Sequence, residues 1–204
     1  GEYDGFGLTL PGVKPDQEGR LYVSFDFRCA SQEAGGGGSW RYYLGHGPGN
    51  SAAVELFFNG SEFFRRSADA REAVAPLTIG EWYQVQLTLD LKAKTYVGVL
   101  ASKTTKTEFS GQTATGWDGT IDYTFIDSYG HLGGVRPSLD ADNFVLDDRP
   151  LPSLDAPAAQ VAEGSREARR AQVTEIRQQL AALQANSEKS KQELDAALAR
   201  GPVE

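Results

Sequence analysis

The 204-residue sequence has no methionine, one cysteine and two histidines. Each shortage closes off a class of chemistry. The lone thiol, Cys29, can form no disulfide within the chain, and this leaves the redox compartment open. Cys29 ends the alternating set Leu21, Val23, Phe25, Phe27, so it is expected to be a small buried hydrophobe rather than a nucleophile. His46 and His131 lie far apart in the glycine-rich stretches "LGHGPGN" and "SYGHLGG". No histidine cluster and no Ser-His-Asp spacing results. No apolar run approaches the roughly 18 residues of a membrane span, and no signal peptide is visible. With no Met even at its first position, the chain is expected to be a processed or excised piece of a longer polypeptide. Basic residues are outnumbered, giving a net charge of −8. That balance argues against nucleic acid and against an anionic membrane surface as partners.

What is present divides into two grammars. Residues 1–150 read as strands throughout, with no helical pattern before residue 160. "LYVSFDFRCA" alternates, with Tyr22, Ser24, Asp26 and Arg28 on its second face. "EWYQVQLTLDL" sets Tyr83, Val85, Leu87 and Leu89 against Trp82, Gln84, Gln86 and Thr88. "KTYVGVLAS", "TIDYTFID" and "ADNFVLDD" complete the run. In "VELFFNGSEFFRR", Asn59-Gly60 is a two-residue hairpin signal that would set Leu56 opposite Phe63 and Glu55 opposite Phe64. Short strands with one polar face and glycine-rich turns predict a mainly β, antiparallel β-sandwich. The proline-containing stretch 151–164 reads as a linker. From Ser165 to Arg200 there is no Pro or Gly, which predicts a helical arm over 165–200. Val173, Ile176, Leu180 and Leu183 follow heptad spacing, and Ser187 and Ser190 interrupt it before Leu194 and Leu198. An αα-hairpin broken near Asn186 is favoured over one long coiled-coil helix, as a spacer or clasp between domains of a parent protein.

Two stretches resemble a known family. "GEWYQVQLTLDLKAKTYVGVLAS" resembles the tryptophan strand and hairpin of concanavalin A-like, laminin-G-like jelly rolls, and "DADNFVLDD" resembles their last strand. The sandwich followed by "REARRAQVTEIRQQLAALQ" also resembles the central region of large Planctomycete secreted proteins that bear a haem-c domain. Such a context implies an extracellular or periplasmic location. This chain has no Cys-x-x-Cys-His, so no haem is expected in it. The first resemblance implies a structural Ca²⁺ tying the last strand to the N-terminal segment. Asp140, Asp142 and Asn143 would supply oxygens, with Asp4 as a distant candidate. The plainer alternative is a solvated strand end that stops at Arg149-Pro150.

Three functions remain open at this point. The favoured one is a non-catalytic module that recognises extracellular carbohydrate through aromatic platforms and planar polar side chains. Its candidate ligand-binding residues are Trp117, Trp40, Tyr43, Tyr129, His131 and Arg136. Trp117 is flanked by Gly116, Asp118 and Gly119, so it is placed on a loop, either as a platform or as an anchor packed on the sandwich edge. Trp82 is expected in the core. The second function is a purely structural or assembly domain. The third is a glycan-cleaving enzyme, which needs two carboxylates about 5 to 10 Å apart. The Glu-x-Asp-x-x-Glu run of laminarinase-type jelly rolls is missing, and Glu55, Glu62, Asp26 and Asp122 are the acids left to pair.

Overall fold

The computed structural model describes residues 4–10, 12–31 and 37–154, together with two isolated positions, Gln178 and Lys191. By its contacts the chain divides into two units, Gly1–Ala159 and Gln160–Glu204. Apart from those two positions, the expected helical arm over 165–200 lies outside the described residues, as does most of the expected linker.

The first unit is an antiparallel β-sandwich. Its strands are β1 (Gly5–Thr9), β2 (Arg20–Ser31), β3 (Trp40–His46), β4 (Ser51–Phe58), β5 (Glu62–Ser67) and β6 (Ala70–Pro76). They continue with β7 (Tyr83–Asp90), β8 (Thr95–Ala101), β9 (Lys106–Gln112), β10 (Tyr123–Asp127) and β11 (Ser138–Asp147). The first sheet runs in the order β1-β10-β3-β4-β5-β6 and the second β11-β2-β7-β8-β9. β1, β6 and β9 were not anticipated. They are edge strands with mostly exposed side chains; β1 and β6 show no alternation, and β9 alternates but fully buries only Phe109.

Alternation places the core. Val23, Phe25, Phe27 and Cys29 of β2 and Val85, Leu87 and Leu89 of β7 meet Tyr42, Leu44, Leu56, Phe58 and Phe63 of the first sheet. The rings interdigitate between sheets: Phe25 stacks on Tyr42 at 4.5 Å and Phe27 on Phe58 at 4.3 Å. Cys29 is buried as expected, and burial pushes its thiol pKa up to about 12.

Three local expectations change. The β4–β5 turn pairs Phe58 with Phe63 and Phe57 with Phe64, two residues away from the register read from Asn59-Gly60. Gly60 does not adopt positive φ. Instead the Asn59 side chain accepts the backbone N–H groups of Ser61 and Glu62, at 2.9 and 2.7 Å, and closes a longer loop. A two-residue slip keeps every side chain on its intended face, so the core is unaffected. In β11 the pairing with β2 shifts between Asp142 and Val145. Asn143 sits there at φ 55° and donates its amide to Asp26 Oδ2 at 2.6 Å. This bulge lets Asp142 face outward while Phe144 and Leu146 pack on the core, although all three share sequence parity. Trp82 precedes β7 and is half-buried rather than in the core, with the Arg28 guanidinium 5.0 Å from its ring centroid.

Candidate functional site

The outer face of the first sheet is built by β10 and β3 side by side. Strand period puts Tyr123, Phe125 and Asp127 on one face of β10, opposite Thr124 and Ile126. The same rule puts Arg41 and Tyr43 on that face of β3. Asp127 and Arg41 are register partners. They meet as a fork: Arg41 Nε donates to Asp127 Oδ1 at 3.1 Å and Nη2 to Oδ2 at 2.7 Å. Arg41 Nη1 donates to Glu55 Oε1 on β4 at 3.1 Å. The other Glu55 oxygen accepts from Arg66 on β5, and Arg66 reaches Asp69 at 2.9 Å. Alternating charges therefore cross four strands. Burial alone would lower the Arg41 pKa; Asp127 and Glu55 outweigh it and raise it.

Aromatic rings surround this pair. The Arg41 guanidinium lies 4.8 Å from the Phe125 centroid and 4.6 Å from that of Tyr129. Phe125 stacks on Tyr43 at 4.4 Å and meets Tyr123 edge-on at 6.0 Å. β1 floors the site. Tyr123 lies so close over Gly7 that a Cβ there would come within 2.9 Å of its hydroxyl oxygen. Above these groups is an open cleft of about 340 Å³, bounded by Asp4, Gly5, Gly7 and Pro48 as well as by Arg41, Tyr123, Phe125 and Asp127.

The expected residues divide between this cleft and other places. Tyr129 is 56% exposed and stands beside the cleft over Arg41. Tyr43 belongs to the same group but is 1% exposed, so it supports Phe125 and offers no face to a ligand. His131 lies edge-on to Phe57 and Phe64, at 4.8 and 4.4 Å, and burial lowers its pKa. Trp40 and Arg136 come together at the sandwich edge. The Trp40 indole donates to the Pro137 carbonyl at 2.8 Å, with Arg136 5.8 Å from its ring. Trp117 is a correction. It is 4% exposed within the core, and its indole N–H donates to the Thr120 carbonyl at 2.9 Å. A ring enclosed in this way cannot serve as a sugar platform; it anchors its loop.

The calcium ligands proposed from the last strand do not fit a cation. Asp140 is held by Arg28, with Nη2 to Oδ2 at 2.6 Å. Asn143 turns its amide nitrogen toward Asp26, and Asp142 Oδ1 accepts the Asn143 backbone N–H at 2.8 Å. A calcium cage needs about six to eight converging oxygens. Here a guanidinium and an amide N–H occupy that space. Among the described residues, no group of three or more His, Cys, Asp or Glu is placed to hold a metal.

Arg41, Tyr123, Phe125 and Asp127 were missed as site residues. Their signal was present as shared parity within "RYY" and "YTFID", but the adjacency of β10 and β3 joins positions more than 80 residues apart. A second groove, of about 530 Å³, lies on the outer face of the second sheet between Tyr22, Val97, Glu108 and Leu151. The chain after β11 runs along it, where Gln86 Nε2 donates to the Pro152 carbonyl at 3.2 Å. Its two aromatics, Tyr22 and Phe109, are both buried, Tyr22 bonding Asp16 through its hydroxyl and Phe109 packing edge-on to Phe63, so this groove presents no ring face.

No protein-family model matches the chain, and no curated protein sequence matches it either. Among solved structures, a sialidase superposes with a TM-score of 0.52 at 13% identity, over 71% of this chain and 14% of that one. A Trypanosoma rangeli sialidase gives 0.45 at 17% identity, over 65% of this chain and 21% of that one. The lectin UEA-II, complexed with galactose, gives 0.44 at 11% identity, over 69% and 77%. The chain spans only a small part of either sialidase. No described helix is long and apolar enough to cross a membrane. At these identities the likeness is one of fold, and the chain is an antiparallel β-sandwich of the kind found in the first sialidase.

Proposed function

We propose that the sandwich is a non-catalytic recognition module that binds carbohydrate, in an extracellular or periplasmic setting, at the cleft over β10 and β3. One observation carries the reading: Tyr123 and Tyr129 flank a half-buried, hydrogen-bonded Arg41–Asp127 pair at the mouth of a preformed cleft. Pyranose rings have an apolar face of C–H groups and a rim of hydroxyls. The exposed ring of Tyr129 and the half-buried ring of Tyr123 suit the first, and a fixed carboxylate with remaining lone pairs suits the second. Arg41 also holds Asp127 in place before any ligand arrives, which reduces the ordering cost of binding.

The same geometry argues against glycoside hydrolysis. Asp127 and Glu55 are the two acids bonded to Arg41, and its guanidinium stands between them. Both Glu55 oxygens accept from guanidiniums, so neither is placed to pass a proton to a leaving group.

A glycan array on the intact protein tests the reading. Binding should occur and should be lost in Tyr123→Ala and Tyr129→Ala while the melting temperature stays close to that of the wild type. Binding that survives both substitutions would place the site elsewhere. No binding to any glycan would leave a structural or assembly role. Release of reducing ends from a bound oligosaccharide would show an enzyme instead.

A further inference from the structure

The carbohydrate reading leaves the class of sugar open, and the charges of the cleft restrict it. Among the described residues that bound the cleft, Arg41 is the one cation, and Asp4 and Asp127 are the acids. Arg41 offers little to a ligand, because its side chain is mostly buried. Three of its N–H groups already donate to Asp127 and Glu55. Rings of Phe125 and Tyr129 lie within 5 Å of its guanidinium carbon, at 4.8 and 4.6 Å. The charge row that contains it begins and ends on carboxylates, Asp127 and Asp69, so it offers no net positive potential. Beyond Pro48, Asp118 and Asp122 flank His46, which adds further acid on that side.

We infer that the cleft selects uncharged pyranosides and excludes sugars that carry a carboxylate or sulfate. This rests on the carbohydrate reading and goes beyond it. A sialic or uronic acid is recognised by a guanidinium that can turn its fork to the ligand. Here the fork is spent on the protein's own aspartate. A ligand carboxylate in this cleft would have to displace Asp127 from Arg41 or stand beside it as a like charge.

The test is calorimetric titration of the intact protein with matched pairs: lactose against sialyllactose, and a galactan oligosaccharide against an oligogalacturonide. The neutral member of a pair should bind, and its acidic partner should bind at least about tenfold more weakly. Raising the salt should narrow that gap, because screening weakens the like-charge repulsion. Asp4→Asn should narrow it too. Equal or tighter binding of the acidic member, lost in Tyr123→Ala, overturns the selectivity but leaves a sugar site at the cleft. No binding of either member, together with an empty glycan array, removes the carbohydrate reading itself.

Discussion

Removing the Glu55 carboxylate, itself almost wholly buried, would take one carboxylate partner from each of two guanidiniums, leaving Arg41 with Asp127 and Arg66 with Asp69. Glu55→Ala is therefore expected to cost roughly 3 kcal/mol in urea denaturation, as for a broken buried pair. Tyr129→Ala, at an exposed ring, should stay within about 1 kcal/mol. Equal losses would mean that the charge row is screened by water and that the Arg41–Glu55 contact matters little. The two histidines should pull stability in opposite directions with pH. Asp118 accepts from His46 Nδ1 and raises its pKa above the usual value of about 6.5. Its contribution is present in full below about pH 6.5 and is lost as pH rises through the raised value. Burial against Phe57 and Phe64, with Arg71 nearby, lowers the His131 pKa, opposed by Glu62. Its contribution is full above about pH 6.5 and is lost as pH falls toward the lowered value. Denaturation curves between about pH 5 and pH 8 check both signs. His46→Asn should flatten the alkaline limb and His131→Leu the acid limb.

Among the elements, the strands read most clearly were those with one face in the core. In β7, Tyr83, Val85, Leu87 and Leu89 are buried in strict alternation, and that pattern is visible in the letters alone. β11 defeated the same rule because a bulge adds residues without leaving a mark in the alternation. Only the φ of Asn143 and its bond to Asp26 reveal it. The cleft was legible one strand at a time, as Arg41 and Tyr43 on β3 and Tyr123, Phe125 and Asp127 on β10. Which strands lie together is a property of the whole sheet and was not legible. The bulge makes a prediction of its own. Asn143→Gly keeps the backbone free to adopt positive φ but loses the bond to Asp26. Asn143→Ala loses that bond and adds a left-handed penalty of about 1 kcal/mol. The alanine variant should therefore be the less stable in thermal melts, and the reverse order would mean that glycine's backbone entropy outweighs the strain.

Across the first unit, the last strand closes the second sheet against β2, more than 100 residues earlier in the chain. Phe144 from β11 stacks on Phe25 at 5.6 Å and meets Phe6 of β1 edge-on at 5.3 Å. A chain ending before Ser138 would leave β2 at an open edge and uncover Phe25. It should lose cooperative unfolding, seen as a broad transition without a defined midpoint. Pairings this distant also predict slow folding, in the millisecond-to-second range by stopped-flow fluorescence.

Among the described residues, strand β1 pairs on one side only, with β10, and it shows Phe6 and Leu8 to solvent. Its amides should therefore trade protons with heavy water faster than those of β3, because a five-residue border strand can lift away without breaking the core. A ligand that rests on Tyr123 and Gly7 would hold that border down. The span from Gly5 to Thr9 would then become the most sensitive reporter of occupancy, its deuterium uptake slowing on binding while the interior strands stay unchanged.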